Sequence, residues 1–151
     1  MDIGGVALMP RIAAYDEDIK VFGGALFKNY ALIGHIGELE NISISLMKGE
    51  LSRSLIDARF NGITISYAIT GTQVKKKLEK KDGNIIIKLN IETEGTLQEY
   101  ILQDEPLTNG IEQLNNMEKA IEKYLEGEIN KTLKILQKEY KADVLGIGEY
   151  I

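Results

Sequence analysis

The chain has no cysteine and no tryptophan, one histidine and two prolines among its 151 residues. Without cysteine there is no thiol catalysis, no disulfide staple and no cysteine-ligated metal. A single histidine, His35, cannot build a multi-histidine metal centre, and any Ser/His/Asp triad would have to use it. No apolar run reaches the roughly 18 residues of a membrane-spanning helix. The start, Met1-Asp2-Ile3-Gly4-Gly5, lacks a basic stretch followed by an apolar core and does not read as a signal peptide. Excess positive charge is missing too: the net charge is -5 and the pI about 5.0. Lys75-Lys76-Lys77 is the only basic run, and a solvated strand face explains it, so nucleic acid is not expected as a partner.

What is present is an ordinary globular composition, 44% hydrophobic and 27% charged, in a length that suits one domain spanning residues 1–151. The strongest pattern lies near the end. Ile111, Leu114, Met117, Ile121, Leu125, Ile129, Leu133, Leu136 and Tyr140 recur every three or four residues, which predicts one amphipathic helix over Asn109–Tyr140. Glutamates dominate its first half and lysines its second, which suits the helix dipole. The stripe is broader than a two-position coiled-coil seam, which favours an intramolecular core contact over self-association through this helix. Behind it, Gly146 and Gly148 and a Val/Leu/Ile alternation over Ala142–Ile151 predict a stop and a short strand.

Upstream the period is two. Ile63, Ile65, Tyr67 and Ile69 before, and Ile85, Ile87, Leu89 and Ile91 after, give each strand one apolar face in a hairpin whose turn is Asp82-Gly83, a pair that accepts positive φ at both positions. That turn places Leu78 opposite Ile87 and Val74 opposite Ile91. A further strand is expected over Thr96–Leu102 after a turn at Gly95, then a break at Pro106 and Asn109-Gly110. Nearer the start, Val6–Met9 and Ile12–Ala14 flank Pro10 and suit an edge strand. Ile19–Phe27 and Ala31–Ile36 form a second hairpin, turning at Lys28-Asn29, with a bulge or close approach at Gly23-Gly24. Glu38–Lys48 is a short helix ended by Gly49. The expected class is α+β: a mostly antiparallel twisted sheet packed against one long C-terminal helix and a shorter one.

Chemistry-bearing constellations are scarce. His35 sits between Gly34 and Ile36 in an apolar strand, where a structural role is the simpler reading. Glu38 and Glu40 face different sides of a helix and make no acid/base pair. Glu99, between Leu97 and Ile101, is the one acid placed for partial burial. A cleft near His35 and Glu99 is therefore the alternative to a non-catalytic role. Neither glycine cluster is a phosphate loop, because Gly23–Lys28 lacks the Gly-Lys-Ser/Thr ending and Gly146-Ile147-Gly148 follows a helix rather than opening one. No catalytic, metal or cofactor site is assigned.

Four stretches, in order, carry a family resemblance. Gly23-Gly24-Ala25-Leu26-Phe27-Lys28-Asn29-Tyr30-Ala31-Leu32-Ile33-Gly34 resembles the G-x-A-V-F-K-x-x-K-L-V-G stretch of the Ger(x)C spore germination proteins, the lipoprotein C subunits of nutrient germinant receptors. Glu38–Leu46 resembles the short helix that follows it, Glu94–Glu99 the x-G-x-L-x-E motif, and Leu136–Gly148 the ending L-Q-K-x-x-x-x-D-x-x-G-x-G. His35 stands where the family commonly has tryptophan, and Ala31 where it has lysine. The resemblance covers only the family's C-terminal domain. It implies a non-enzymatic protein that acts with integral-membrane A and B subunits on the outer face of the spore inner membrane, with the membrane met only through an N-terminal lipid anchor absent from this chain. No functional residue is carried over; Gly34, Glu99, Asp143, Gly146 and Gly148 match the pattern and suit turn, bulge or helix-stop roles.

Overall fold

In the computed structural model, which describes residues 5–16, 18–60, 62–100 and 110–150, alternating apolar segments become strands and the 3.6-period segments helices. The order is β1 (Val6–Tyr15), β2 (Asp18–Lys28), β3 (Ala31–Ile36), α1 (Glu38–Lys48), β4 (Ser54–Phe60), β5 (Ile63–Lys81), β6 (Asn84–Tyr100) and α2 (Gly110–Lys134). A π-helical turn (Ile135–Tyr140) continues α2, and a 3₁₀ turn (Ile147–Tyr150) closes the chain. The class is α+β, and the strands divide into two antiparallel sheets, β1-β2-β3 and β4-β5-β6. Ile101, Leu102, Pro106 and Asn109, which carried the expected strand end and break, lie outside the described residues.

The chain forms two compact units. The first comprises residues 1–45 and 128–151, and its buried apolar residues include Leu26, Ile36, Ile44, Leu136, Ala142 and Val144. Ser43 and Thr132 are buried with them because each hydroxyl donates to the carbonyl four residues back, Leu39 O and Glu128 O, both at 2.8 Å. The second comprises residues 46–127 and buries Leu46, Met47, Ile56, Ala58, Ile65, Ile69, Met117 and Ile121. Of the apolar stripe, Met117, Ile121 and Leu136 are buried and Leu125, Ile129, Leu133 and Tyr140 half-buried, whereas Ile111 and Leu114 are 80% and 54% exposed.

Register follows the turns. Asp82 (φ 52°) and Gly83 (φ 77°) make the two-residue turn, and Val74 pairs with Ile91 and Leu78 with Ile87 as the alternation requires. Among the described residues β4 pairs with Ile63–Ile69 alone, so beyond Gly71 β5 and β6 continue as a two-stranded ribbon on the order of 35 Å long. Its outward polar face is laced by Lys75–Glu92, Lys77–Glu79 and Lys88–Glu79 pairs. Beside it, β6 passes through Gly95 without turning. A Cβ there would overlap the Ala68 carbonyl and stand 2.6 Å from the Tyr67 ring, so glycine lets Tyr67 lie across the strand.

The first sheet shows parallel adjustments. Pro10 sits on edge strand β1, where its missing N–H costs no ladder bond, and the register shifts between Pro10 and Ile12. Opposite lies Gly23 (φ 65°), whose absent side chain leaves room for the Ile36 carbonyl and Gly37. The hairpin turn falls one residue later than Lys28-Asn29: Asn29 (φ 51°) and Tyr30 (φ 64°) occupy it, because Lys28 pairs with Ala31. α1 keeps its expected bounds and ends at Gly49 (φ 74°).

Candidate functional site

In the first unit, the hairpin motif and the C-terminal motif are separated by about a hundred residues of sequence yet meet in space. Leu26 pairs with Gly34 on the buried face of the sheet, and Tyr140, at the end of the π-helical turn, lays its ring on Gly34. A Cβ on Gly34 would come within 2.6 Å of Tyr140 Cζ. The Tyr140 hydroxyl then donates to the His35 carbonyl at 2.8 Å. One residue on, the Lys28 ammonium donates to the Lys141 carbonyl at 3.1 Å. Three points on one hairpin therefore hold the helix terminus.

The helix ends for a reason the glycines do not supply. Lys141 takes the left-handed conformation (φ 47°), and the amides of Lys141 and Ala142 both return to the Leu136 carbonyl. Asp143 then accepts from the amides of Ile147 at 2.8 Å and Gly148 at 2.5 Å, while Gly146 turns the chain at φ 65°. This carboxylate cap opens a 3₁₀ turn over Ile147–Tyr150 where alternation alone predicted a strand. A Cβ on Gly148 would stand 3.1 Å from Asp143 Oδ2, so the small residue suits the close approach.

The two residues singled out for chemistry are not brought together by any shared element. His35 stands on β3 opposite Ala25, in the first unit, and its side chain is exposed. Ala7, Met9, Ala25, Phe27 and Leu32 share that outward face by register, Met9 and Leu32 being exposed. Glu99 belongs to β6 in the second unit, where its backbone pairs with Ser66. The Ser66 hydroxyl is engaged elsewhere, donating to Asp57 Oδ1 at 2.5 Å across the β4–β5 pair. Among the described residues, no group of three or more His, Asp or Glu side chains could hold a metal ion. Gly34, Gly95, Asp143 and Gly148 thus serve packing and capping, and the face around His35 offers apolar contact flanked by one imidazole.

Sequence reasoning placed Tyr140 only as the last residue of an apolar stripe. Its contact with Gly34 carried a signal of a kind, since both residues lie in or beside motif stretches, but pairing them needs the fold. Lys28 and Lys141 likewise lie within motif stretches, Lys28 at the motif's own lysine, but nothing in the sequence pairs the ammonium of one with the carbonyl of the other.

Comparison with known proteins bears on the same stretches. A family model described as "Spore germination B3/ GerAC like, C-terminal" matches residues 22–151. Spore germination protein YndF of Bacillus subtilis (strain 168) is 26% identical over 150 residues, covering 97% of this chain and 37% of the relative. Spore germination protein A3 of the same organism is 27% identical over 144 residues, covering 95% and 39%, and spore germination protein B3 is 25% identical over 122 residues, covering 80% and 32%. The crystal structure of the GerBC protein superposes with a TM-score of 0.81 at 21% identity, over 98% of this chain and 46% of that one, a likeness in fold. The chain spans less than half the length of each of these proteins. Among its described residues no helix is long and apolar enough to cross a membrane. From the match over residues 22–151, the chain belongs to the Spore germination B3/GerAC-like C-terminal family.

Proposed function

We propose that the chain is a single, non-catalytic interaction domain of a nutrient germinant receptor C subunit, working in spore germination through protein contacts. Its partners in this reading are the integral-membrane A and B subunits at the outer face of the spore inner membrane, with an N-terminal lipid anchor tethering the full-length protein. The observation that carries the reading is the family match over residues 22–151. It is supported by the roles of the motif residues, since Gly34, Gly95, Asp143 and Gly148 are each accounted for by packing or capping.

The test is an in-frame removal of residues 22–151 from the full-length protein in spores. Co-purification of the membrane subunits and nutrient-triggered germination are then measured. Loss of either, with an upstream portion still present at normal abundance, is the expected result. Unchanged receptor assembly and unchanged nutrient response overturn the proposal.

A further inference from the structure

Two strand pairs extend past their third strand, one in each unit, and they differ in charge. Among the described residues β3 pairs with Gly24–Lys28 alone, so the outer part of the β1–β2 hairpin is two-stranded there. There Ile12 lies opposite Val21 and Ala14 opposite Ile19, which puts the four aliphatic residues on one face. Ile12, Ile19 and Val21 are 64%, 75% and 54% exposed. Asp16 and Asp18 sit at the adjoining turn, within the acidic run Asp16-Glu17-Asp18; with Arg11 and Lys20 on the flanking strands, residues 11–21 carry a net charge of -1 that is concentrated at the turn.

The β5–β6 ribbon has the opposite sign. Over residues 75–92, Lys75, Lys76, Lys77, Lys80, Lys81 and Lys88 outnumber Glu79, Asp82 and Glu92 by three, in a chain whose net charge is -5. Near its turn Leu78 and Ile85 are exposed on one face, with Lys80 directly opposite Ile85 on that face and Lys81 on the other face beside the turn. Each surface therefore combines exposed aliphatic side chains with a charged tip, and the tips are of opposite sign. A scattered exposed isoleucine needs no explanation, but a clustered apolar face beside like-signed charge marks a contact surface.

We propose that the β1–β2 hairpin of one copy docks on the β5–β6 ribbon of a second copy of this chain. The occupant is chosen by charge complementarity: an apolar, acidic hairpin and an apolar, basic ribbon are carried by the same chain. An anionic bilayer would match the lysines but would meet Asp82 at the ribbon's turn, and it offers no partner for the acidic turn of the hairpin. The contact is heterologous, joining two different patches, so copies associate head to tail. It is small and held partly by exposed charges, and it therefore forms weakly and loosens with salt. This inference does not rest on the receptor reading.

The experiment is sedimentation equilibrium of the full chain, up to roughly millimolar concentration, at low and high salt. Two charge variants are compared, Lys80→Glu/Lys81→Glu and Asp16→Asn/Asp18→Lys; asparagine is chosen because it tolerates the left-handed backbone at Asp16 (φ 48°). Wild-type association that weakens with salt, and at least about tenfold weaker self-association of each variant alone, are expected. An equimolar mixture of the two variants should recover association, since each then meets a patch of opposite sign. That recovery also shows that both variants are folded. A wild-type chain that stays monomeric, variants that associate as the wild type does, or a mixture that fails to recover while circular dichroism shows native structure would each overturn the proposal. So would lysine-dependent binding of the monomer to phosphatidylglycerol vesicles, or to an acidic protein, without self-association.

Discussion

Replacing Gly34 with alanine should cost far more than one methyl group ordinarily would, because the new Cβ would stand 2.6 Å from Tyr140 Cζ and 2.7 Å from its hydroxyl oxygen. The backbone at Gly34 is not in the left-handed region, so alanine meets no torsional strain there, and the whole effect passes through Tyr140. Displacing the ring breaks its hydrogen bond to the His35 carbonyl, worth about 1 kcal/mol, and gives up part of its burial, worth roughly another 1–2 kcal/mol. The total, about 2–3 kcal/mol, corresponds to a fall of about 4–12 °C in Tm for a chain of this size. Urea denaturation of Gly34→Ala, Tyr140→Ala and the double variant forms the measurement. With the ring gone, Gly34→Ala should shift stability by less than about 0.5 kcal/mol, giving a coupling energy near the full cost of the single change. Tyr140→Phe, which deletes only the hydroxyl, should cost about 0.5–1 kcal/mol. If Gly34→Ala is equally destabilising with and without Tyr140, the argument that the hairpin and the helix terminus are joined at this contact is wrong.

Lys141→Gly should stabilise the chain by about 0.5–1 kcal/mol, since glycine takes the left-handed cap without a Cβ penalty and the carbonyl that accepts from Lys28 is retained; Tm would rise by a few degrees. Asp143→Ala removes the acceptor for two amides and should cost about 1 kcal/mol, with hydrogen exchange at Ile147 and Gly148 accelerating before global unfolding does. On the ribbon, the Lys88 ammonium at 2.8 Å and the Lys77 ammonium at 3.2 Å hold the Glu79 carboxyl below its usual value. A lowered carboxylate pKa stabilises the fold above the unfolded value and loses that contribution as pH falls through the folded one. Glu79→Gln should therefore be slightly less stable than wild type at neutral pH, and the gap should close only once the pH has fallen below the ordinary glutamate range, as thermal scans at neutral and strongly acidic pH can show.

Much of the fold was legible because it is governed by local period and turn chemistry. Asp82-Gly83 sets the ribbon register to the residue, since a two-residue turn with positive φ at both positions leaves one pairing that keeps Val74, Leu78, Ile87 and Ile91 on a common face. Glu38–Lys48 was bounded by its apolar spacing and Gly49. Pro10 pointed to an edge, and Gly23-Gly24 to a bulge, for the same local reasons.

What the sequence could not contain is which distant groups meet. The alternation in Ala142–Ile151 favours a strand, but it says nothing of Asp143 folding back on the amides of Ile147 and Gly148, and two hydrogen bonds to a carboxylate outweigh a weak β preference. Gly95 reads as a turn because glycine usually marks one; only the tertiary structure shows Tyr67 filling the space its side chain would take. The division into two three-stranded sheets likewise depends on where β3 and β4 stop pairing, a matter of partners far along the chain. The sequence alone determined α1, α2, most strands and the ribbon register, because turns and apolar periods act over a few residues, but it showed no sign of β4 (Ser54–Phe60) and broke β6 at Gly95. The tertiary structure decided the docking of Tyr140 on Gly34 and the separation of His35 from Glu99 onto different sheets, because packing acts through space and leaves no periodic mark.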